Sequence, residues 1–163
     1  MKITNISLKA FFLVFVFCGN LYSFSDFENA LEKARTSNKR IIVDIYTDWC
    51  GWCKKMDHDV YGNSEIKKII DGNFILVKLD AECGDKLNYN GKQYTEEELA
   101  EYFEATGYPT TVFLEPDGKL IEFKYNNIIF KNIPGYFKAK DFKKILNFIK
   151  KGKYKDSDLS KVI

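Results

Sequence analysis

The chain has 163 residues, of which 45% are hydrophobic and 16% aromatic, enough for one packed domain, too few for two ordinary ones, and too apolar for wholesale disorder. Its 25 Lys and Arg stand against 23 Asp and Glu, and residues 1–25 hold two of those lysines and no acid, so the remainder balances at zero. Binding to phosphate backbones needs a basic surplus on one face, so no nucleic-acid partner is expected.

The first residues read as a targeting segment. Lys2 and Lys9 lie in a polar beginning, and Ala10–Cys18 is unbroken apolar sequence. Nine residues of helix rise only about 14 Å, well short of the roughly 30 Å bilayer core. A basic start, a short apolar run and the small residues Ser23 and Ser25 describe a signal peptide cleaved after Ser25, with export to the periplasm. That length disfavours an uncleaved anchor, and the bulky Phe17 disfavours a lipoprotein processed at Cys18. Residues 26–155 are expected to form one domain and 156–163 a C-terminal tail.

Ser25 or Asp26 suits an N-cap, and Phe27, Ala30, Leu31 and Ala34 recur at helical spacing. Ile41–Tyr46 is short, β-branched and apolar except for Asp44, the pattern of a strand buried on both faces. A helix is expected from the cysteine motif through Met56 to Val60, and Ser64 suits the cap of a second one ending at Gly72. Phe74–Leu79 reads as another buried strand. Thr95 and Glu98 form a capping box for a helix closing near Gly107. Thr110–Leu114, the turn Pro116-Asp117-Gly118 and Leu120–Phe123 read as a hairpin. Phe142, Ile145, Leu146 and Ile149 mark a last helix. The order α-β-α-α-β-α-β-β-α implies an α/β domain, a mixed sheet of four to five strands with helices on both faces.

Once the signal peptide is removed, three cysteines remain: Cys50, Cys53 and Cys83. Cys50 and Cys53 are three apart, so on one helical turn their sulfurs share a side and can close a small ring. A helix opening at Cys50 aims unpaired N–H groups at that sulfur and favours the thiolate, the attacking form of the thiol. Zinc sites use the same spacing but need four ligands. No second pair is offered here, and the only histidine, His58, lies five residues beyond Cys53; no metal is expected. Asp44, an acid inside an apolar strand, is either a proton acceptor with a raised pKa or a polar strand end that reaches water.

From Val43 to Lys54 the chain resembles the strand-to-helix segment of the thioredoxin superfamily, including Asp44, Trp49 and the Cys50-Gly51-Trp52-Cys53 motif. Val77-Lys78-Leu79-Asp80 resembles that family's next parallel strand with its lysine. Gly107-Tyr108-Pro109-Thr110 resembles its cis-proline loop. The likeness covers roughly residues 26–151 and is nearest to exported reductases with W-C-x-x-C-K-x-M and G-x-P-T signatures.

That resemblance implies a thioredoxin fold and thiol–disulfide exchange with no cofactor beyond a redox-active Cys50–Cys53 disulfide. It implies an exposed Cys50 that attacks, a more buried Cys53 that resolves, Asp44 as proton acceptor and Lys78 tuning it. Trp49, Gly51, Trp52, Tyr108, Pro109 and Thr110 would border the client groove; the alternative for Trp49 and Tyr108 is that both are ordinary partly buried aromatics. The implied partners are protein disulfides or dithiols and a membrane electron donor, and a monomer is expected. Three departures stand out: Gly51-Trp52 replaces Gly-Pro, Tyr108 replaces an aliphatic residue, and Gly84–Gln93 is inserted beside Cys83. Cys83 belongs on the active-site edge, as an unpaired thiol or a third redox group. The second reading is a carrier whose dithiol holds Cu(I), which two thiolates suit.

Overall fold

The computed structural model describes residues 26–163, so the expected signal peptide lies outside the described residues. The centre of the fold is β1, Arg40–Tyr46, whose five middle residues are all buried. It pairs parallel with β2, Phe74–Asp80, in direct register: Ile41 lies beside Ile75 and Asp44 beside Lys78. After β2 the chain forms the hairpin of β3 (Lys86–Tyr89) and β4 (Lys92–Thr95). On the other side β1 pairs antiparallel with β5, Thr110–Leu114.

Side chains alternate across a strand, and β1 divides the core accordingly. Ile41, Val43 and Ile45 face one cluster, closed by α1 (Asp26–Ser37) and α4 (Glu96–Tyr102) through Phe27, Ala30, Ala34, Leu99 and Ala100. Ile42 faces the other cluster with Phe113, Met56, Ile66 and Ile70 and the stripe Phe142, Ile145, Leu146 and Ile149. Apart from Phe113 of β5, those residues come from α2 (Gly51–Met56), α3 (Ser64–Asn73) and α5 (Ala139–Lys150). Helices therefore cover both faces, as expected. By the same alternation Asp44 points into the α2–α3–α5 layer.

Several boundaries differ from the sequence reading. Asn63, not Ser64, caps α3: its side chain accepts from the N–H groups of Glu65 and Ile66, and the helix runs past Gly72 to Asn73. The capping box of Thr95 and Glu98 is present, but α4 stops at Tyr102, because Glu104 turns to a positive φ of 59°. The insertion at 84–93 is the β3–β4 hairpin, turned by Asn90 and Gly91 at φ 50° and 76°, the left-handed pair a tight two-residue turn requires. After β5 the chain does fold back, with Ile121 donating to the Phe113 carbonyl and a bridge from Leu114 to Leu120. Yet no sheet strand forms there. Instead Phe123–Tyr125 (β6) pairs with Ile128–Phe130 (β7), and the short Ile133–Pro134 (β8) joins β5. The main sheet has four strands in the order β2-β1-β5-β8.

The segment from 156 closes onto the domain. Leu159 is buried in the second core cluster, and the Asp158 carboxylate accepts from the N–H groups of Asn126, Asn127 and Ser160. Among the described residues, no helix is long and apolar enough to cross a membrane.

Candidate active site

Four residues after β1 ends, Cys50 occupies the N-cap of α2. Its N–H donates to the Thr47 carbonyl at 3.1 Å, and its Sγ accepts the Cys53 N–H at 3.0 Å. Cys50 and Cys53 form a disulfide, with S–S 2.06 Å and Cα–Cα 5.3 Å. The expectation of an exposed Cys50 is not met in this oxidised form: Cys50 is 4% and Cys53 2% exposed. The bond and the N-cap contact both turn the Cys50 sulfur inward, back over the first turn of α2. Gly51 leaves open space where a side chain would stand.

Around the disulfide the aromatics stand out of the surface. Trp49 is 68% and Trp52 59% exposed, and large exposed aromatics beside a reactive group are what a docking rim needs. Trp49 meets Tyr108 edge-on with ring centres 6.1 Å apart, and its indole N–H donates to Glu82 Oε1 at 2.9 Å. This contact brings together the residues that precede Cys50 and Pro109. On the other side Trp52 packs against Tyr136 at 5.4 Å.

The Tyr108–Pro109 bond is cis. The Pro109 carbonyl accepts from Gly135 N–H at 2.7 Å, and the buried Thr110 hydroxyl donates to the Gly107 carbonyl at 2.7 Å, tying the loop down from both ends. Burial first, then the carboxylates of Glu82, Glu97, Asp80 and Glu101, push the Tyr108 phenol above its ordinary range.

Asp44 is 1% exposed, which removes the reading of a strand end in water. Its Oδ2 lies 2.6 Å from Lys78 Nζ, which is also 2.6 Å from Asp57 Oδ1. The pairing follows from register, since Asp44 and Lys78 are neighbours on parallel strands. Burial raises the Asp44 pKa; Lys78 opposes the shift and Asp57 adds to it. Burial pulls Lys78 down, but Asp44 and Asp57 outweigh it and hold the ammonium above its usual range. Cys53 and Met56 are the buried residues of α2, and Met56 belongs to the layer that Asp44 faces. An ionisable acid thus shares a face of the sheet with the inner cysteine.

Cys83 is a free, half-buried thiol just past the end of β2, its N–H bonded to the Asp80 carbonyl. The Asp85 N–H lowers its pKa, but burial with Glu96, Asp85 and Asp80 wins, and the thiol ends above its ordinary value. That favours an inert thiol over a reactive one. Among the described residues, no group of three or more His, Cys, Asp or Glu side chains could hold a metal ion.

Asp57, Tyr61, Glu82, Thr111 and Tyr136 were not singled out from sequence. Only Asp57 had a usable signal, four residues after Cys53 along the same helical path. The others reach the site through packing between elements distant in the chain.

Comparison with known proteins fits this geometry. Residues 27–150 match the thioredoxin-like domain family. The chain belongs to that family. A disulfide bond reductase, DsbH of Chlamydia pneumoniae, is 30% identical over 94 residues, covering 57% of this chain and 56% of that protein. The thiol:disulfide interchange protein DsbD of Colwellia psychrerythraea is 23% identical over 120 residues, 74% of this chain. The chain spans only 12–17% of the length of the first curated relatives it matches. A thioredoxin-fold protein from Helicobacter pylori superimposes with a TM-score of 0.64 over 77% of this chain and 80% of that one, at 23% identity. At that identity the superposition speaks for the fold alone. As a thioredoxin-like domain, the chain carries its Cys50–Cys53 pair at the start of the helix after the central strand.

Proposed function

We propose that this protein is a periplasmic thiol–disulfide oxidoreductase that mainly reduces disulfides in other proteins and is itself re-reduced by a membrane electron donor. The observation that carries the reading is the Cys50 sulfur at an N-cap, accepting the Cys53 N–H at 3.0 Å. An N–H fixed on that sulfur favours its thiolate, because hydrogen bonds to a charged acceptor are stronger than those to a neutral one. Export is supported by the basic start and short apolar run at the N-terminus. The reducing direction is supported by the likeness to a disulfide bond reductase.

In the reduced protein the Cys50 thiolate attacks one sulfur of a client disulfide. The client S–S bond breaks, one client sulfur leaves as thiolate, and a mixed disulfide forms. Cys53 gives its proton to the Asp44 carboxylate, and its thiolate attacks the Cys50 sulfur of the mixed disulfide. That step releases the second client thiolate and leaves the Cys50–Cys53 disulfide. Two electrons pass to the client, and the membrane donor returns two.

The test is insulin-disulfide reduction with dithiothreitol, comparing wild type with Cys50→Ser and Cys53→Ser. Wild-type activity should vanish in Cys50→Ser, and Cys53→Ser should accumulate mixed disulfides with clients in cells. An inactive wild type that binds Cu(I) tightly and stoichiometrically would replace this reading with the metal carrier.

A further inference from the structure

The inner acid has an unused oxygen. Lys78 takes Asp44 Oδ2, while Oδ1 is enclosed and has no hydrogen-bond partner among the described residues. Two other enclosed side-chain oxygens near it are in the same position, the Tyr61 hydroxyl and the Thr111 hydroxyl. Unpaired buried polar atoms are costly and few in folded proteins, so three that converge on one another call for an explanation.

Their convergence follows from the fold. Thr111 is the residue opposite Asp44 in the β1–β5 register, so both point into the same layer. Tyr61 comes from the turn after α2. Its ring centre lies 5.8 Å from Lys78 Nζ, and its edge is fixed against Phe142 at 5.6 Å. Asp57–Tyr61 is a π-helical turn, closed by Gly62 N–H on the Asp57 carbonyl at 2.8 Å. A Cβ at Gly62 would stand 2.6 Å from the His58 carbonyl oxygen, so this turn depends on glycine. Such turns often mark functional sites, and this one carries both Asp57 and Tyr61 to the ion pair.

We propose that Tyr61 is a positioning residue for thiol exchange, its hydroxyl, oriented by Thr111, donating to Asp44 Oδ1 directly or through one buried water and so keeping the acid ionised to receive the Cys53 proton. The inference rests on the function proposed above and goes beyond it in naming what sets the readiness of the acceptor. The groups that face Asp44 are Lys78 from β2, Asp57 and Tyr61 from the π turn, and Thr111 from β5. Burial holds the Tyr61 phenol well above its ordinary range, so it remains an O–H donor throughout the working pH. A donor removed from a charged acceptor moves that acceptor's titration by about one to two pH units.

Tyr61→Phe keeps the ring and deletes the donor. Two measurements read the result: the pH profile of mixed-disulfide resolution, and the titration of the Asp44 carboxyl followed by 13C NMR in the reduced protein. Both should move about one to two units alkaline, with resolution slowed about tenfold or more at pH 7 and restored at high pH. Thr111→Val, of nearly equal shape, should move both in the same direction by less. A Tyr61→Phe titration that superimposes on wild type overturns the proposal. The NMR titration decides it even if the wild type fails to reduce insulin, an outcome that would sink only the functional reading.

Discussion

Replacing Lys78 with methionine isolates the cost of a buried carboxylate. The ammonium lies 2.6 Å from Asp44 Oδ2, and Asp44 is 1% exposed. Breaking a fully buried ion pair costs about 3–5 kcal/mol. The Lys78 side chain remains 36% exposed, so solvent screens the pair and the expected loss is nearer about 2 kcal/mol. Its pH dependence has a definite sign. The folded pKa of Asp44 is raised, chiefly by burial, above its ordinary 3.8. Between those two values the folded state binds more protons than the unfolded one, so stability falls as pH rises. Lys78→Met raises the folded value further and extends that window upward. In acid, where the carboxyl is neutral in both states, the variant should differ little from wild type. Above the wild-type folded pKa the deficit should grow by about 1.4 kcal/mol per pH unit before levelling near about 2 kcal/mol. Urea unfolding of the oxidised proteins between pH 4.5 and 9 measures this. A deficit of equal size at every pH, or one that persists when Asp44→Asn is added, refutes the reasoning.

Asp158 is held at about 2 by the Ser160 hydroxyl and the Asn127, Ser160 and Asn126 amides, so its contribution is present above the ordinary carboxylate range and is lost as pH falls through about 2. Asp158→Ala should speed hydrogen exchange at the Asn126 and Asn127 amides by about tenfold, the loss of one such bond each; unchanged exchange would place their protection elsewhere. Gly118 has φ +88° and an added Cβ would sit 3.2 Å from Leu31 Cδ2, so Gly118→Ala should lose about 1–2 kcal/mol in urea unfolding. Gly72→Ala, in a helix with open space around it, should gain about 0.5–1 kcal/mol; effects of the same sign would contradict the backbone argument.

The parts of the fold legible in sequence were those fixed by local pattern. The apolar run around Asp44, the capping box of Thr95 and Glu98 and the stripe of α5 each depend on neighbours within a turn or a strand. The β3–β4 hairpin was also locally encoded, by Asn90-Gly91 and the alternation of Lys86 to Tyr89, but β4 breaks that alternation with Lys92 and Gln93 both exposed, so the segment reads as a loop. The fate of Leu120–Phe123 could not be read locally, because Ile133–Pro134 competes for the free edge of β5 and takes it at Thr110 and Thr111. The site divides in the same way. Cys50, Cys53, Asp44 and Lys78 occupy one strand-to-helix segment and its register neighbour. Tyr61 and Thr111 come together only because a π turn and an antiparallel register place them in the layer that Asp44 faces.

The Asp44–Lys78 pair is asymmetric, and the asymmetry separates stability from chemistry. Removing Lys78 leaves a buried carboxylate unpaired, but removing Asp44 does not leave Lys78 alone, since its ammonium keeps Asp57 at 2.6 Å near solvent. Replacing a buried ion pair by apolar residues of similar volume is often neutral or stabilising by about 1–4 kcal/mol, whereas removing one partner costs when it strands a buried charge; here the lysine left behind is not stranded. Because burial dominates and holds the Asp44 pKa up, Asp44→Ala should fall on the favourable side, gaining about 1–3 kcal/mol above the raised pKa. That gain should shrink in acid, where the carboxyl is already neutral in the folded state. The same substitution removes the acceptor for the Cys53 proton, so resolution of mixed disulfides should slow at neutral pH while the first attack by Cys50 is spared. Urea unfolding at pH 5 and 8, with single-turnover kinetics of the two steps, measures both effects. An Asp44→Ala protein less stable than wild type at pH 8 would mean that the acid holds the fold together. One that resolves mixed disulfides at the wild-type rate would mean that another group takes the proton.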